Sequence, residues 1–143
     1  MHANATQEYA ENAISTQDQG KLVVMLYDGA IKYLQVAKRE LEDGDYASKG
    51  IYIGKAQDII SELNNSLDME AGGDLAQNLR ALYNFMYGHL STANIERDEE
   101  KISECIRLLK ELHGAWEQAA RETASARQEP ASAPAARQTA FQA

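Results

Sequence analysis

The sequence predicts an all-α protein: an antiparallel up-down four-helix bundle with a mobile N-terminal arm and a disordered C-terminal tail. Three observations carry this. Both prolines, Pro130 and Pro134, lie close to the C-terminal end. The stretch before them repeats apolar residues at spacings of three and four, which is the helical period. No alternating β-branched run of strand type interrupts it. At 143 residues the chain has the length of one domain and can bury a core without staples. The spacing divides it into an arm (1–17), the helical bundle (18–121) and the tail (122–143).

The first helix is expected from about Asp18 to Leu41. Thr16-Gln17-Asp18-Gln19 reads as a capping box, with the Thr16 hydroxyl serving an early backbone N–H. Gly44, within "EDGDY", then stops the helix. The second is expected from Tyr46 to Leu67, ended by "DMEAGGD", where Gly72-Gly73 frees the backbone to turn. The third runs from Asp74 to Ile95. Asp98 is placed to cap the fourth, which runs from Glu99 to Ala120. Helices of such similar length, each about 33–36 Å long at 1.5 Å per residue, pack as antiparallel neighbours when their connections are short. After Arg121 the chain is dominated by Ala, with Ser, Gln, Pro and scattered charges, and has no large apolar side chain until Phe141, a composition unable to build a core.

Composition excludes several functions. The formal net charge is −8, and no basic stripe with interleaved aromatics occurs, so nucleic acid is not an expected partner. No apolar run reaches the roughly 18 residues of a membrane span. The opening "MHANATQEYAENAIS" lacks the basic and apolar regions of a signal peptide, and the reading is a soluble cytoplasmic (cytosolic) protein. One cysteine, Cys105, permits no internal disulfide. With His2, His89 and His113 it is too little for a structural zinc site, so no metal or cofactor is expected.

"KLVVMLYDGAIKYL", from Lys21 to Leu34, carries more apolar surface than one core stripe needs. On a helical wheel Leu22, Leu26, Gly29, Tyr33 and Ala37 fall together, with Met25, Val36, Val23, Ala30 and Leu41 flanking; this arc is the expected core face. Val24, Tyr27 and Ile31 form a second stripe at i, i+3 and i+7, and Leu34 bridges the two. On the third helix Leu75, Leu79, Leu82, Met86, Leu90 and Ala93 are expected inside, with Tyr83 and Tyr87 on the shoulder and Phe85 well off it. On the second, Ile53, Ala56, Ile59, Ile60, Leu63 and Leu67 face in and Ile51 faces out. The fourth spends its apolar residues, Ile102 to Trp116, on the core alone. Surplus apolar surface of this kind marks a partner site, and tyrosine suits one because it offers a large face with a polar tip. The competing reading covers the second stripe with the chain's own Tyr9, Ala13 and Ile14.

Catalytic constellations are absent, and the protein is not expected to be an enzyme. A di-iron bundle needs Glu-x-x-His pairs, and none occurs. A histidine phosphotransfer-type four-helix bundle is the sharper rival. Its exposed histidine is followed by Lys and Gly. "GHLSTANIE" around His89 and "LHGAWEQ" around His113 both lack that lysine. Cys105 lies on the core face, where a thiol is inert. A self-associating helical scaffold, a homodimer in the free state, is a third reading.

The stretches "KLVVMLYDGAIKYLQVAK" (21–38) and "KAQDIISELNNSLDMEAGGDLAQNLRALYNFM" (55–86), with "AN" at 93–94 and the single Trp116, resemble the flagellin-specific export chaperones, the FliS family. The resemblance spans Tyr9 to Trp116. It implies an antiparallel helical bundle without catalytic activity that binds the C-terminal segment of flagellin in apolar grooves. That would prevent premature polymerisation and deliver flagellin to the export gate of the flagellar type III apparatus. Departures are modest: "TQDQGK" precedes the first block, "GGDLA" stands for the commoner "GGEIA", and "LYNFM" for "LYDYM". Under this resemblance Val24, Tyr27 and Ile31 are expected to line the client groove. Tyr83, Tyr87 and Ile51 are further candidates, and Tyr9 and Ile14 are expected to cap the groove when no client is present.

Overall fold

The computed structural model describes the backbone of residues 5–128 and the side chains of residues 19–122. Four helices follow in order: α1 (Ala5–Glu42), α2 (Tyr46–Asn65), α3 (Gly73–Glu96) and α4 (Glu99–Gln128). Each packs on its neighbours in the chain, and α4 closes back onto α1. The pairs α1/α3 and α2/α4 stand on the diagonals. This is the up-down bundle, all-α among the described residues.

The connections follow the turn chemistry. Gly44 takes φ 79° between α1 and α2. Asp45 then caps α2, its side chain accepting from the Ser48 N–H at 3.1 Å. Asp68 folds the α2–α3 turn by accepting from the Glu70 and Ala71 N–H groups at 3.1 and 3.0 Å. Asp98 accepts from the Glu100 and Lys101 N–H groups at 3.0 and 3.3 Å, which is the expected cap of α4.

Two helix bounds differ from the sequence reading. α1 begins at Ala5, not near Asp18, so the backbone of residues 5–17, expected as an arm, is helical. Thr16 to Gln19 therefore lie inside the helix and not at its start. The segment is rich in Ala, Glu and Gln, which propagate a helix once one exists, and a capping box terminates a helix only where the preceding backbone turns away. Gly20, deep in α1, is where α4 comes close: a Cβ there would lie 3.3 Å from the Ala120 Cβ. α4 in turn continues to Gln128, beyond the expected end at Ala120. The expected cap residues Tyr9 and Ile14 lie outside the residues with described side chains, and residues 129–143 of the expected tail lie outside the described residues.

The core also corrects the phase of α1. Tyr27, Ala30, Ile31, Leu34 and Ala37 are buried, whereas Leu22 and Met25 are exposed. The stripe expected to face outward faces in. α1 is apolar over such a wide arc that its own periodicity does not set its rotation; the positions of α2 and α4 do. Gly29 faces α2, where an added Cβ would lie 3.2 Å from Ile59 Cδ1, while Lys38 reaches Glu99 of α4 at 4.0 Å. Gly29 thus lies toward α2 and Lys38 toward α4, with the buried stripe between them. On α3, Tyr83 moves from the expected shoulder to the core, and Leu75 moves out of it. On α2, Ile53, Ala56, Ile60 and Leu63 are buried and Ile51 is exposed, as expected. On α4, Ile102, Cys105, Ile106 and Leu109 are buried.

Candidate functional site

Six residues are the sequence-derived binding candidates, and the bundle separates them. Tyr27, Ile31 and Tyr83 are core residues, and Val24 is half-buried. The Tyr27 and Tyr83 hydroxyls share a hydrogen bond across the α1/α3 diagonal. Trp116 Nε1 of α4 donates to the Tyr27 hydroxyl at 3.2 Å. Three aromatic residues of the recognisable blocks thus form one satisfied polar chain inside the fold. Burial raises the pKa of both phenols above the ordinary tyrosine value. In Tyr27 the neighbouring Tyr83 adds to the rise; in Tyr83 the bond to Tyr27 works against it.

Tyr87, on α3, and Ile51, on the outer face of α2, remain on the surface, 43% and 58% exposed. Phe85 (53%) and Ile95 (82%) join them on α3. From Ala81 to Ile95, "ALYNFMYGHLSTANI", α3 has no Asp, Glu, Lys or Arg. Yet Ala81, Asn84, Phe85, Tyr87, Gly88 and Ile95 all face solvent. The outer faces of the other helices differ. α4 exposes Arg107, Lys110, Glu111 and Glu117, and α1 exposes Lys21, Lys32 and Arg39. In a chain of net charge −8, an uncharged apolar outer face confined to one helix is the departure from a solvated surface.

Polar clasps hold the floor of this seam. Lys49, buried, donates to the Asn94 backbone oxygen and Oδ1 at 2.8 and 2.6 Å. Gln57 Nε2 donates to the Tyr87 carbonyl at 3.0 Å and to Ser91 Oγ at 2.9 Å. Asn64 Nδ2 donates to Asn84 Oδ1 at 2.9 Å. Burial, and then the charge of Arg97, push the Lys49 ammonium below the ordinary lysine range. The clasps satisfy the polar groups and leave the apolar ones to face outward. Gly54 and Gly88 are helical glycines beside the seam, and a Cβ on either would meet nothing within 4 Å.

On the other flank of α3, His89 Nε2 lies 2.7 Å from Glu104 Oε2, and the Phe85 ring stacks on the imidazole with centroids 4.8 Å apart. A carboxylate against one nitrogen and a phenyl ring over the face disfavour an incoming phosphoryl group. His113, the second candidate of the phosphotransfer reading, is half-buried. Cys105 is buried, and that burial, with Glu104 adding to it, pushes its thiol up to about 12. Among the described residues no three His, Cys, Asp or Glu side chains gather as metal ligands, and no helix is long and apolar enough to cross a membrane.

Sequence reasoning missed Ile95, Met25 and Leu22 as exposed residues and Lys49 as a buried one. The charge-free run of α3 was the available signal for Ile95. None existed for Leu22 and Met25, whose exposure depends on the rotation of α1.

The family model for flagellar protein FliS matches residues 2–123. The chain belongs to the FliS family. Among relatives, the flagellar secretion chaperone FliS of Vibrio cholerae is 38% identical over 108 residues, covering 76% of this chain and 79% of the relative. That of Salmonella typhimurium is 39% identical over 109 residues, covering 76% and 81%. That of Escherichia coli is 36% identical over 121 residues, covering 81% and 89%. The Tyr27–Tyr83–Trp116 chain and the bare α3 face both lie within the FliS match.

Proposed function

We propose that this protein is a cytosolic, non-enzymatic export chaperone that holds the C-terminal segment of flagellin, prevents its premature polymerisation and delivers it to the gate of the flagellar type III export apparatus. Family membership and the relatives' description as flagellar secretion chaperones support the class. The observation that carries the binding mode is the uncharged outer face of α3, with Phe85, Tyr87 and Ile95 exposed there and Ile51 exposed on α2. The client lays an amphipathic helix there, its apolar residues repeating at i, i+3, i+4 and i+7.

The buried Tyr27, Ile31 and Tyr83 serve this face indirectly, by fixing the bundle that presents it. A client segment that orders on binding loses about 2–5 kcal/mol of the gross interaction. At about 25 cal/mol per Å2, roughly 80–200 Å2 of additional apolar burial offsets that loss. The four exposed side chains offer a start on such an area, and a client continuing toward Leu22 and Met25 would add to it.

Calorimetric titration with the last 50 or so residues of the organism's own flagellin tests the reading. The expected result is a one-to-one complex, with a negative heat-capacity change from apolar burial. Absence of binding at tens of micromolar, about −6 kcal/mol, would overturn it.

A further inference from the structure

We propose that the end of the α2–α3 seam marked by Tyr46, Ile95 and Arg97 receives an acidic side chain set in an otherwise apolar stretch of the bound client. The proposal rests on the chaperone reading and adds to it a fixed polar point that sets the client's register.

Arg97 is the residue that motivates it. It occupies the C-cap of α3 in the left-handed region, φ 54° and ψ 46°, and is the one non-glycine at positive φ among the described residues. Glycine or asparagine usually fills such a position. An arginine placed there has its guanidinium over the Tyr46 ring, 3.7 Å from the centroid. Stacking engages the flat face of the group and leaves the N–H donors at its edge, which match a carboxylate in two parallel bonds.

Among the described residues no carboxylate takes those donors. The neighbours in sequence, Glu96 and Asp98, are both drawn to Lys101, at 3.7 and 3.1 Å. Among the described residues no salt bridge reaches Arg97, although the side chain is exposed and the chain carries a net charge of −8. Lys49 stands behind it as a second positive charge, held by Asn94.

The surroundings define the occupant. The Lys49–Asn94 clasp fixes α2 against α3 at this end, and Ile95, the residue after Asn94, is largely exposed beside it. An apolar rim with one unpaired guanidinium is complementary to an apolar segment carrying one carboxylate. A phosphate or a polyacidic stretch would leave Ile95 without a partner.

The test is calorimetric titration of wild type, Arg97→Gly and Arg97→Lys with the flagellin C-terminal peptide at low and high salt. Companion peptides carry each Asp or Glu replaced in turn by its amide, and one is amidated at its C-terminus. The expected result is a loss of about tenfold or more for Arg97→Gly, as befits a charged hydrogen bond, with a weaker salt dependence. Arg97→Lys should recover only part, because lysine has no fork. One side-chain amide substitution should cost wild type the same factor and cost Arg97→Gly nothing further. Arg97→Gly should melt no lower than wild type, since glycine suits the left-handed cap. Wild-type affinity in Arg97→Gly would overturn the proposal while leaving the chaperone reading intact. Loss only with the amidated terminus would overturn the side-chain assignment in favour of the terminal carboxylate. A wild-type protein that binds no peptide at all would overturn both.

Discussion

The hydroxyls of Tyr27 and Tyr83 meet inside the bundle and join α1 to α3, two helices on the diagonal that otherwise do not pack on each other. Trp116 extends the contact to α4. One polar chain therefore ties three of the four helices together, and its members come from the blocks by which the sequence is recognisable. Tyr27→Phe removes one hydroxyl and leaves Tyr83 and the Trp116 N–H without that partner. It is expected to cost about 1–3 kcal/mol, measured by urea unfolding. Tyr27→Phe/Tyr83→Phe should cost less than the sum of the single changes, because both report the same bond. Full stability in Tyr27→Phe would show that the chain contributes nothing to the fold.

Alkaline pH should weaken the same region. Tyr27, Tyr83 and Cys105 hold their protons more tightly in the folded protein than in the unfolded chain, principally through burial. Raising the pH therefore favours unfolding. The cysteine contribution is complete below the unfolded thiol value of about 8.5 and is lost as pH rises toward about 12. The tyrosine contributions begin to fall above about pH 10. The urea midpoint should decline across this range, and the decline should be shallower in Tyr27→Phe/Tyr83→Phe. A midpoint that rises above pH 10 contradicts the sign.

Cys105 should be unreactive while the protein is folded, being both buried and protonated. A thiol-specific chromogenic reagent at pH 8 should label it only as fast as the bundle opens, and urea should accelerate labelling. Immediate stoichiometric labelling of the native protein would place the thiol at the surface.

Glycine substitutions should separate by position. Gly54→Ala and Gly88→Ala meet nothing within 4 Å and sit in helices, so each should stabilise by about 0.5–1 kcal/mol. Gly73→Ala, at φ 53°, should destabilise, because the left-handed backbone suits glycine. Thermal melts of the three variants decide the matter; a uniform response would contradict the local geometry.

The four helices are legible in the sequence because each turn is written in local chemistry: Gly44 with Asp45, Asp68 with Gly73, Asp98. The inward faces of α2 and α4 follow from their narrow stripes. α1 is different. With Leu22, Met25 and Leu26 on one side and Tyr27, Ile31 and Leu34 on the other, its sequence supports two rotations. Only contacts with α2 and α4 choose between them. The candidate site inherits that ambiguity. Ile51 and Tyr87 are readable as outward residues from their own helices, whereas Tyr27 and Ile31 are not readable as inward ones. Arg97 escaped notice because its role depends on a backbone conformation and on a ring at the far end of α2.

If the exposed apolar residues form the client face, substitutions there should spare the fold. Ile95→Ser should change stability by no more than about 0.5 kcal/mol, as surface changes do, and Phe85→Ser by somewhat more, because its ring stacks on His89. They should nonetheless weaken client binding at least several-fold in calorimetry. Leu34→Ser, by contrast, alters the core and should unfold the bundle, for a buried hydroxyl without a partner adds to a cavity.

Isoleucine-methyl nuclear magnetic resonance gives the most direct test of where the client lies. Ile51 and Ile95 are exposed, while Ile31, Ile53, Ile60 and Ile102 are buried. On titration with the C-terminal flagellin peptide, the Ile51 and Ile95 methyl signals should shift most and the buried set little. Large shifts at Ile31 with Ile51 and Ile95 unmoved would contradict the account and return the client to the stripe of α1.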